Sequence, residues 1–179
     1  ILQQMLSPDQ YGQNVHPNPA KATNVVEYAV KLPGNDASDI PVYLPIDAKF
    51  PKEDYELLVN ASEAGDPERV AAARKNLLGR VRIFAKEIHD KYIEPPYTTN
   101  FAIMFMPVEA IYAEVLREPG FFEELQRAYK VTITGPTTLA AFLNSLQMGF
   151  RSFAIQKRSG EVWKVLNSVR AEFEKFETV

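Results

Sequence analysis

Three charged side chains on two neighbouring predicted strands could do chemistry together. The stretch "LPIDAKFP", residues 44–51, alternates apolar and other positions, and its second face carries Asp47 and Lys49 two residues apart. The preceding predicted strand, residues 25–32, carries Glu27. Carboxylate oxygens without His or Cys favour Mg²⁺ or Mn²⁺, and a neighbouring lysine can orient a water molecule or neutralise charge that develops on a phosphate. This combination is suited to phosphodiester hydrolysis.

The two strands form a predicted hairpin, and its register follows from keeping the apolar faces together. A slip of one residue would place the core face of one strand in water, so paired residue numbers must have an even sum. A loop centred on Ala37 then pairs Tyr28 with Ile46 and Glu27 with Asp47. Two facing carboxylates repel each other, so either the nearby lysine or a divalent metal must compensate.

Two features of the second strand have to be weighed against this interpretation. Pro45 has no N–H to donate, so we expect a bulge or a sheet edge to interrupt the pairing there. Asp-x-Lys is also a common tripeptide, and Asp47 and Lys49 could form a solvated salt bridge on the open face of the hairpin. With Glu27 on the same face, the sequence supports the salt-bridge interpretation and the metal-site interpretation about equally.

The composition indicates one folded domain of the α/β class. The chain has 179 residues, of which 46% are hydrophobic, and the absence of cysteine excludes disulfides and thiolate zinc sites. A net charge of -3 does not by itself indicate a nucleic-acid-binding protein. The order of predicted elements indicates a mixed sheet, with an antiparallel hairpin first and later strands reached through helical crossovers.

Hydrophobic periodicity and turn residues predict the individual elements. Asp66 is expected to cap a long helix that has Pro67 at its first position. Predicted strands cover 13–16, 25–32, 42–50, 101–106 and 131–134, and predicted helices cover 1–6, 51–64, 67–93, 107–118, 120–129, 137–150 and a last segment from about Ser159.

Four longer stretches resemble the RmuC family of DNA recombination proteins. They are "VVEYAVKLPG", "LPIDAKFP", "KYIEPPYTTNFAIMFMPVEAIYAEVL" and "TGPTTLAAFLNSLQMGFR". The hairpin within them resembles the core of PD-(D/E)xK nucleases. The resemblance implies a restriction-endonuclease-like fold, DNA as the partner and Mg²⁺ or Mn²⁺ as the cofactor. It also implies that Glu27, Asp47 and Lys49 are catalytic and that Glu27 and Asp47 bind the metal, although Glu27 follows Val26 where the usual pattern is Asp after Pro.

The resemblance also implies that residues 1–179 are a single nuclease-like domain taken from a longer chain. The family pattern places a further Glu on a first helix before Ile1, so we expect a truncated helix and an incomplete metal site. Flanking coiled coils would be absent. We expect a cytoplasmic domain that has no membrane contact of its own, in a longer protein that carries an anchor or a coiled coil. Homo-oligomers could form through the terminal helices.

Seven further residues are candidates for contact with the substrate: Lys31, Glu109, Thr137, Thr138, Arg151, Lys157 and Arg158. All of them except Lys31 also have a structural explanation. The threonines can cap a helix, the glutamate suits the first turn of a helix, and a basic group on a helix is usually solvated.

Three functions therefore remain open at the level of sequence. The first is a metal-dependent DNA nuclease domain. The second is a DNA-binding module that has the nuclease fold without the chemistry. The third is a scaffold domain that assembles through its helical ends.

Overall fold

The computed structural model describes the backbone of residues 1–21, 24–33 and 40–176. In the last helix, the side chains of 156–164, 166 and 169–176 lie outside this description. Contacts within the chain define two units, Ile1–Ala140 and Ala141–Val179. Every described strand belongs to the first unit.

The described part of the chain contains eleven helices and strands. The helices are α1 (Leu2–Met5), α2 (Lys52–Glu63), α3 (Pro67–Tyr92), α4 (Glu109–Leu116), α5 (Phe121–Tyr129) and α6 (Pro136–Phe176). The strands are β1 (Tyr11–Val15), β2 (Val26–Leu32), β3 (Val42–Ala48), β4 (Ala102–Phe105) and β5 (Val131–Thr134).

The strands form one mixed sheet in the order β1-β2-β3-β4-β5. β1 and β2 are antiparallel, as are β2 and β3, whereas β4 pairs parallel to β3 and β5 pairs parallel to β4. Parallel neighbours need long crossover connections, which α2 with α3 and α4 with α5 supply. The predicted mixed α/β class, with a hairpin first and helical crossovers afterwards, is confirmed.

The main core lies between α3 and one face of the sheet. Leu77, Val81 and Ile88 are fully buried on α3, at the spacing of one helix face. They belong to the same apolar cluster as Met104 of β4 and Ile133 of β5. α3 therefore covers the sheet face to which these two strand residues point.

The start of α3 is built as the sequence predicts. Asp66 Oδ1 accepts hydrogen bonds from the N–H groups of Glu68 and Arg69, both at 3.1 Å, and Pro67 is the first helical residue. A side-chain cap satisfies N–H groups that have no partner within the helix. The helix then continues through Gly79 to Tyr92 without a break.

The predicted hairpin register is confirmed. Tyr28 pairs with Ile46 and Ala29 pairs with Pro45, as the even-sum rule requires. One further step in the same register places Glu27 opposite Asp47, on the sheet face opposite Tyr28 and Ile46. The predicted centre of the loop, at residue 37, lies outside the described residues.

The predicted interruption of the hairpin at Pro45 is wrong. Pro45 lies opposite Ala29 in a continuous ladder. Tyr43 shows where the missing N–H points, since its N–H donates to Tyr97 O at 3.0 Å and its C=O accepts from Thr99 N at 2.9 Å. Pro45 is two residues further along β3, so its nitrogen faces the same side of the strand as Tyr43 N. On that side β4 pairs with β3 only from Ile46 onward. The N–H that proline lacks would therefore have no β4 partner at this position.

The predicted helix break before Ser159 is also wrong. α6 runs continuously from Pro136 to Phe176. A glycine such as Gly160 costs a helix only about 1 kcal/mol relative to alanine, which does not force a helix to end. None of the described helices, α6 included, has the combined length and apolar composition that a membrane span needs.

Candidate active site

Asp47 lies near the C-terminal end of β3, on the sheet face that α3 covers. Its parallel partner is Met104, a residue of the core, so both side chains point to the same face. Only 6% of Asp47 is exposed. A carboxylate buried to this extent is not part of a solvated surface salt bridge. The helix covers the open face that the hairpin alone would leave to solvent.

Lys49 lies between Asp47 and α3. Its Nζ is 3.2 Å from Asp47 Oδ2, 3.6 Å from Glu87 Oε2 and 5.2 Å from the centre of the Phe84 ring. The approach to Asp47 does not have hydrogen-bond geometry, and Oδ2 has no hydrogen-bond partner among the described residues. Buried polar atoms are nearly always hydrogen-bonded, so Asp47 Oδ2 is an exception that requires an explanation.

Tyr92, the last residue of α3, brings Glu27 into the same group. Burial raises the pKa of the Tyr92 hydroxyl most, the negative charge of Asp47 raises it further, and a hydrogen-bonding contact with the Asp47 carboxylate acts in the same direction. The charges of Glu27 and Glu87 act in the same direction, because a nearby anion disfavours a phenolate. Tyr92 is therefore within electrostatic range of all three carboxylates, of which Glu27 is exposed. We call Glu27, Asp47, Lys49, Glu87 and Tyr92 the Asp47 cluster.

The Asp47 cluster has more negative than positive charge. Its three carboxylates and one ammonium sum to -2, and the ammonium is shared between Asp47 and Glu87. Lys49 alone therefore does not compensate the charge that the hairpin brings together. A cation that binds oxygen atoms would reduce the repulsion and give Asp47 Oδ2 a partner.

The donor set fits a metal that keeps part of its water shell. Among the described residues, no three His, Cys, Asp or Glu side chains are arranged to hold a metal ion. Mg²⁺ is usually bound by one or two carboxylates and completes its octahedral shell with water and substrate phosphate. Asp47, with its unpartnered oxygen, and Glu27, on the same face, supply that number of ligands.

Sequence reasoning missed the contribution of α3 to this site. Hydrophobic periodicity alone indicates an apolar stripe on this helix that includes Phe84 and Tyr92, but the stripe does not reveal which strand it covers. Glu87 lies next to the stripe residue Ile88 and is half-exposed, so periodicity alone does not distinguish it from a solvated residue. The one sequence signal for Glu87 was its position as a charged residue at the edge of a buried helix face.

The first helix lies on the other side of the sheet. Ile1, Leu2 and Gln3 of the α1 region line a cavity of about 270 Å³ together with Tyr28 and Ile46. These two strand residues point away from Asp47 because neighbouring residues of a strand alternate between faces. The polar residue Gln3 is therefore on the face opposite the Asp47 cluster.

Glu109, Thr137 and Thr138 form a closed set of hydrogen bonds at the start of α6. Glu109 Oε2 accepts from Thr137 N at 3.1 Å and from Thr137 Oγ1 at 3.2 Å. Gly135 N donates to Thr138 Oγ1 at 2.9 Å. The Glu109 carboxylate thus occupies the place that a phosphate would take at this helix N-terminus, and the geometry is that of a cap.

The basic candidates are distributed over both units. Lys31 is half-buried on β2, four residues along the strand from Glu27. Arg151 is exposed on the part of α6 that belongs to the second unit. Lys157 and Arg158 follow on the same helix, and their side chains lie outside the described part of the structure.

Comparison with known proteins decides the family. The family model for RmuC matches residues 1–179, the whole chain. The chain belongs to the RmuC family. The resemblance seen in the four sequence stretches is therefore confirmed at the level of the family.

Two curated RmuC relatives are similar over nearly the whole chain. Both are DNA recombination protein RmuC homologs of Xylella fastidiosa, from strains Temecula1 and 9a5c. Each is 52% identical over 176 residues, which is 98% of this chain and 38% of the relative. The chain thus spans well under half the length of the RmuC proteins that it matches. No solved structure matched the chain.

Proposed function

We propose that this RmuC-family domain is a Mg²⁺- or Mn²⁺-dependent deoxyribonuclease whose active site is the Asp47 cluster. The observation that supports it most is the Asp47 carboxylate, which is buried and has an oxygen without a hydrogen-bond partner in the described structure. Such an arrangement destabilises an empty site and favours a bound cation. Two curated relatives are DNA recombination proteins by name, which supports DNA as the substrate.

Asp47 and Glu27 are the residues that would hold the metal. Both offer only oxygen, which suits Mg²⁺ and Mn²⁺. When bound, the metal would supply Lewis acidity towards a phosphate oxygen and a lower pKa of an attacking water. In the hydrolysis, a water oxygen bonds to phosphorus, one phosphorus–oxygen bond to a sugar breaks, and the leaving oxygen receives a proton.

The remaining residues of the cluster position charge around the phosphate. The Lys49 ammonium would stabilise negative charge as it develops on the phosphate oxygens. Glu87 and the Phe84 ring hold Lys49 from the α3 side, at 3.6 Å and 5.2 Å. Tyr92 offers a hydroxyl beside Asp47, and its raised pKa keeps it a neutral donor at physiological pH.

The arrangement of elements supports a restriction-endonuclease-like core as part of this proposal. An acid on β2 faces the Asp-x-Lys strand β3, the next strand in the sheet is parallel, and α3 packs over the acidic face. These elements place two acids and a lysine at one position of a mixed sheet.

A second function, assembly through α6, is favoured by a separate observation. Met148, Phe153, Ile155 and Val165 of α6 are large apolar residues that are 45–66% exposed. Exposed apolar residues along a helix suit a helical partner. A homo-oligomer formed by α6 is compatible with a nuclease and could also serve a scaffold or a non-catalytic DNA-binding module.

A cleavage assay with matched variants tests the proposed activity. Linear and circular DNA are incubated with Mg²⁺, Mn²⁺ or EDTA, and the variants are Asp47→Asn and Glu124→Gln. Glu124 pairs with Arg82 at 2.7 Å outside the cluster, so its variant controls for the loss of one charge. We expect divalent-dependent cleavage by the wild type and by Glu124→Gln, and none by Asp47→Asn. Binding without cleavage under every metal would favour the non-catalytic module.

A further inference from the structure

The segment that leaves the Asp47 cluster carries an exposed aromatic ring. β3 ends at Ala48, and Lys49 N donates to Phe105 O at 2.9 Å, which keeps this segment attached to the sheet. The next residue is Phe50, and Lys52 N donates to Phe50 O at 2.8 Å as the chain turns into α2. Although the backbone is held at both points, the Phe50 side chain is 49% exposed.

Phe50 stands between two grooves that contain further aromatic rings. The first groove has a volume of about 330 Å³ and includes Phe84 and Arg80. The second has a volume of about 320 Å³ and includes Tyr55. Lys52 lines both. An aromatic ring with space on either side can stack on a nucleobase, as aromatic side chains do in single-strand nucleic-acid sites.

The first groove lies next to the Asp47 cluster, and Phe84 connects the two. Phe84 lines this groove and also lies under the Lys49 ammonium. Phe50 follows Lys49 in the chain, so their Cα atoms are about 3.8 Å apart. A phosphate held at Asp47 and Lys49 would thus have its neighbouring nucleotide beside the Phe50 ring.

The charges of the first groove indicate stacking rather than phosphate binding. Lys52 and Arg80 are balanced there by Glu53 and Asp54, and Arg80 is paired with Asp54 at 3.1 Å. These four groups sum to zero, so they provide little net attraction for a phosphate backbone. The aromatic rings are what the groove offers a ligand. A base within a duplex already has neighbours on both faces, whereas an unpaired base has a free face.

We propose that Phe50 stacks on an unpaired nucleobase next to the phosphate held by the Asp47 cluster. The substrate is then DNA with single-stranded character at the cleaved position, such as a single strand, a flap or a frayed end. This inference rests on the proposed nuclease function and specifies its substrate class. Phe50 acts in it as a specificity residue and takes no part in bond breaking.

Equilibrium binding tests the proposal without relying on cleavage. Fluorescence anisotropy measures the affinity of the protein for a labelled single strand and for its duplex, with Ca²⁺ in place of Mg²⁺. Phe50→Ala should weaken single-strand binding by about tenfold, the scale of one base–aromatic stack, and leave duplex binding unchanged. Phe50→Tyr should restore the affinity and Phe50→Leu should not, because leucine keeps apolar bulk without the ring.

Leu57 provides a matched control. It is 56% exposed on α2 and is not part of the described lining of either groove. Leu57→Ala should change neither affinity. Equal losses for single strand and duplex, or no loss for Phe50→Ala, would overturn the stacking proposal.

Abasic positions in the single strand locate the stacked base and separate the two proposals. At one position, removing the base should weaken wild-type binding and have no further effect on Phe50→Ala, as expected for two changes that remove one interaction. Additive effects at every position would overturn the stacking proposal. If this coupling is found but the wild type cleaves no DNA with any divalent metal, the base site stands and the nuclease proposal fails. Metal-dependent cleavage with equal rates on paired and unpaired DNA would support the nuclease proposal and overturn the stacking proposal.

Discussion

Replacing Asp47 with asparagine should make the metal-free protein more stable. In the wild type, folding buries a carboxylate whose Oδ2 has no described hydrogen-bond partner, in a cluster that also contains Glu27 and Glu87. A buried amide without a partner costs about 1–3 kcal/mol, and an ionised carboxylate costs more. Lys49, at 3.2 Å, offsets only part of this because it is shared with Glu87. Asn keeps the shape and removes the charge, so we expect the free energy of unfolding to rise by about 1 kcal/mol.

The same substitution should remove stabilisation by divalent metal. A ligand that binds only the folded state adds about 2.7 kcal/mol at a concentration one hundred times its Kd. Urea unfolding in EDTA and in increasing Mn²⁺ measures both effects. Wild type should gain stability with Mn²⁺, and Asp47→Asn should be more stable in EDTA and insensitive to Mn²⁺.

The competing explanation, a structural salt bridge, predicts the opposite sign. Breaking a buried ion pair by removing one partner costs about 3–5 kcal/mol. If Asp47→Asn destabilises the protein in EDTA by that amount, Lys49 fully compensates Asp47 and the Asp47 cluster needs no cation. Asp54→Asn, which breaks the more exposed pair with Arg80, should lose at most about 1 kcal/mol and sets the scale for an ordinary pair.

Three further predictions follow from the same structure. Gly79→Ala should stabilise α3 by about 0.5–1 kcal/mol in urea unfolding, because the added Cβ would meet no atom within 4 Å. Gly135→Ala should instead destabilise the protein, because its Cβ would lie 2.8 Å from a tyrosine ring. Lys49→Ala should abolish DNA cleavage and leave calorimetric Mn²⁺ binding intact, since Lys49 is not a proposed ligand. The hydrogen bond from Arg82 lowers the pKa of Glu124, so its stabilising effect is present above the unfolded-state pKa of about 4.3 and is lost as pH falls through the lower folded value. The difference in unfolding free energy between wild type and Glu124→Gln should therefore be present at neutral pH and disappear in acid.

The sequence correctly predicted the features that depend on residues close together in the chain or on the alternation of side chains between the two faces of a strand. The even-sum register correctly paired Tyr28 with Ile46, because a slip by one would expose an apolar face. The Asp66 cap was predicted because its hydrogen bonds lie within three residues of the sequence. The error at Pro45 arose because the missing N–H faces the other neighbouring strand, which the hairpin pattern does not include.

The site was predictable only as far as the hairpin extends. Glu27, Asp47 and Lys49 could be placed on one face from strand alternation alone. Glu87 and Tyr92 could not be added, because no sequence period states which strand α3 crosses. The same crossing buries Asp47, and burial is what distinguishes the observed carboxylate from a solvated surface group.

The location of a bound metal tests the central claim most directly. Anomalous diffraction at the manganese absorption edge, from crystals grown with Mn²⁺, identifies the ion independently of other density. The proposed site predicts a peak within about 2.5 Å of an Asp47 carboxylate oxygen, with Glu27 as the second protein ligand or bound through water. A peak only elsewhere, or no peak with Lys49 still 3.2 Å from Asp47 Oδ2, would contradict a metal-dependent active site in the Asp47 cluster.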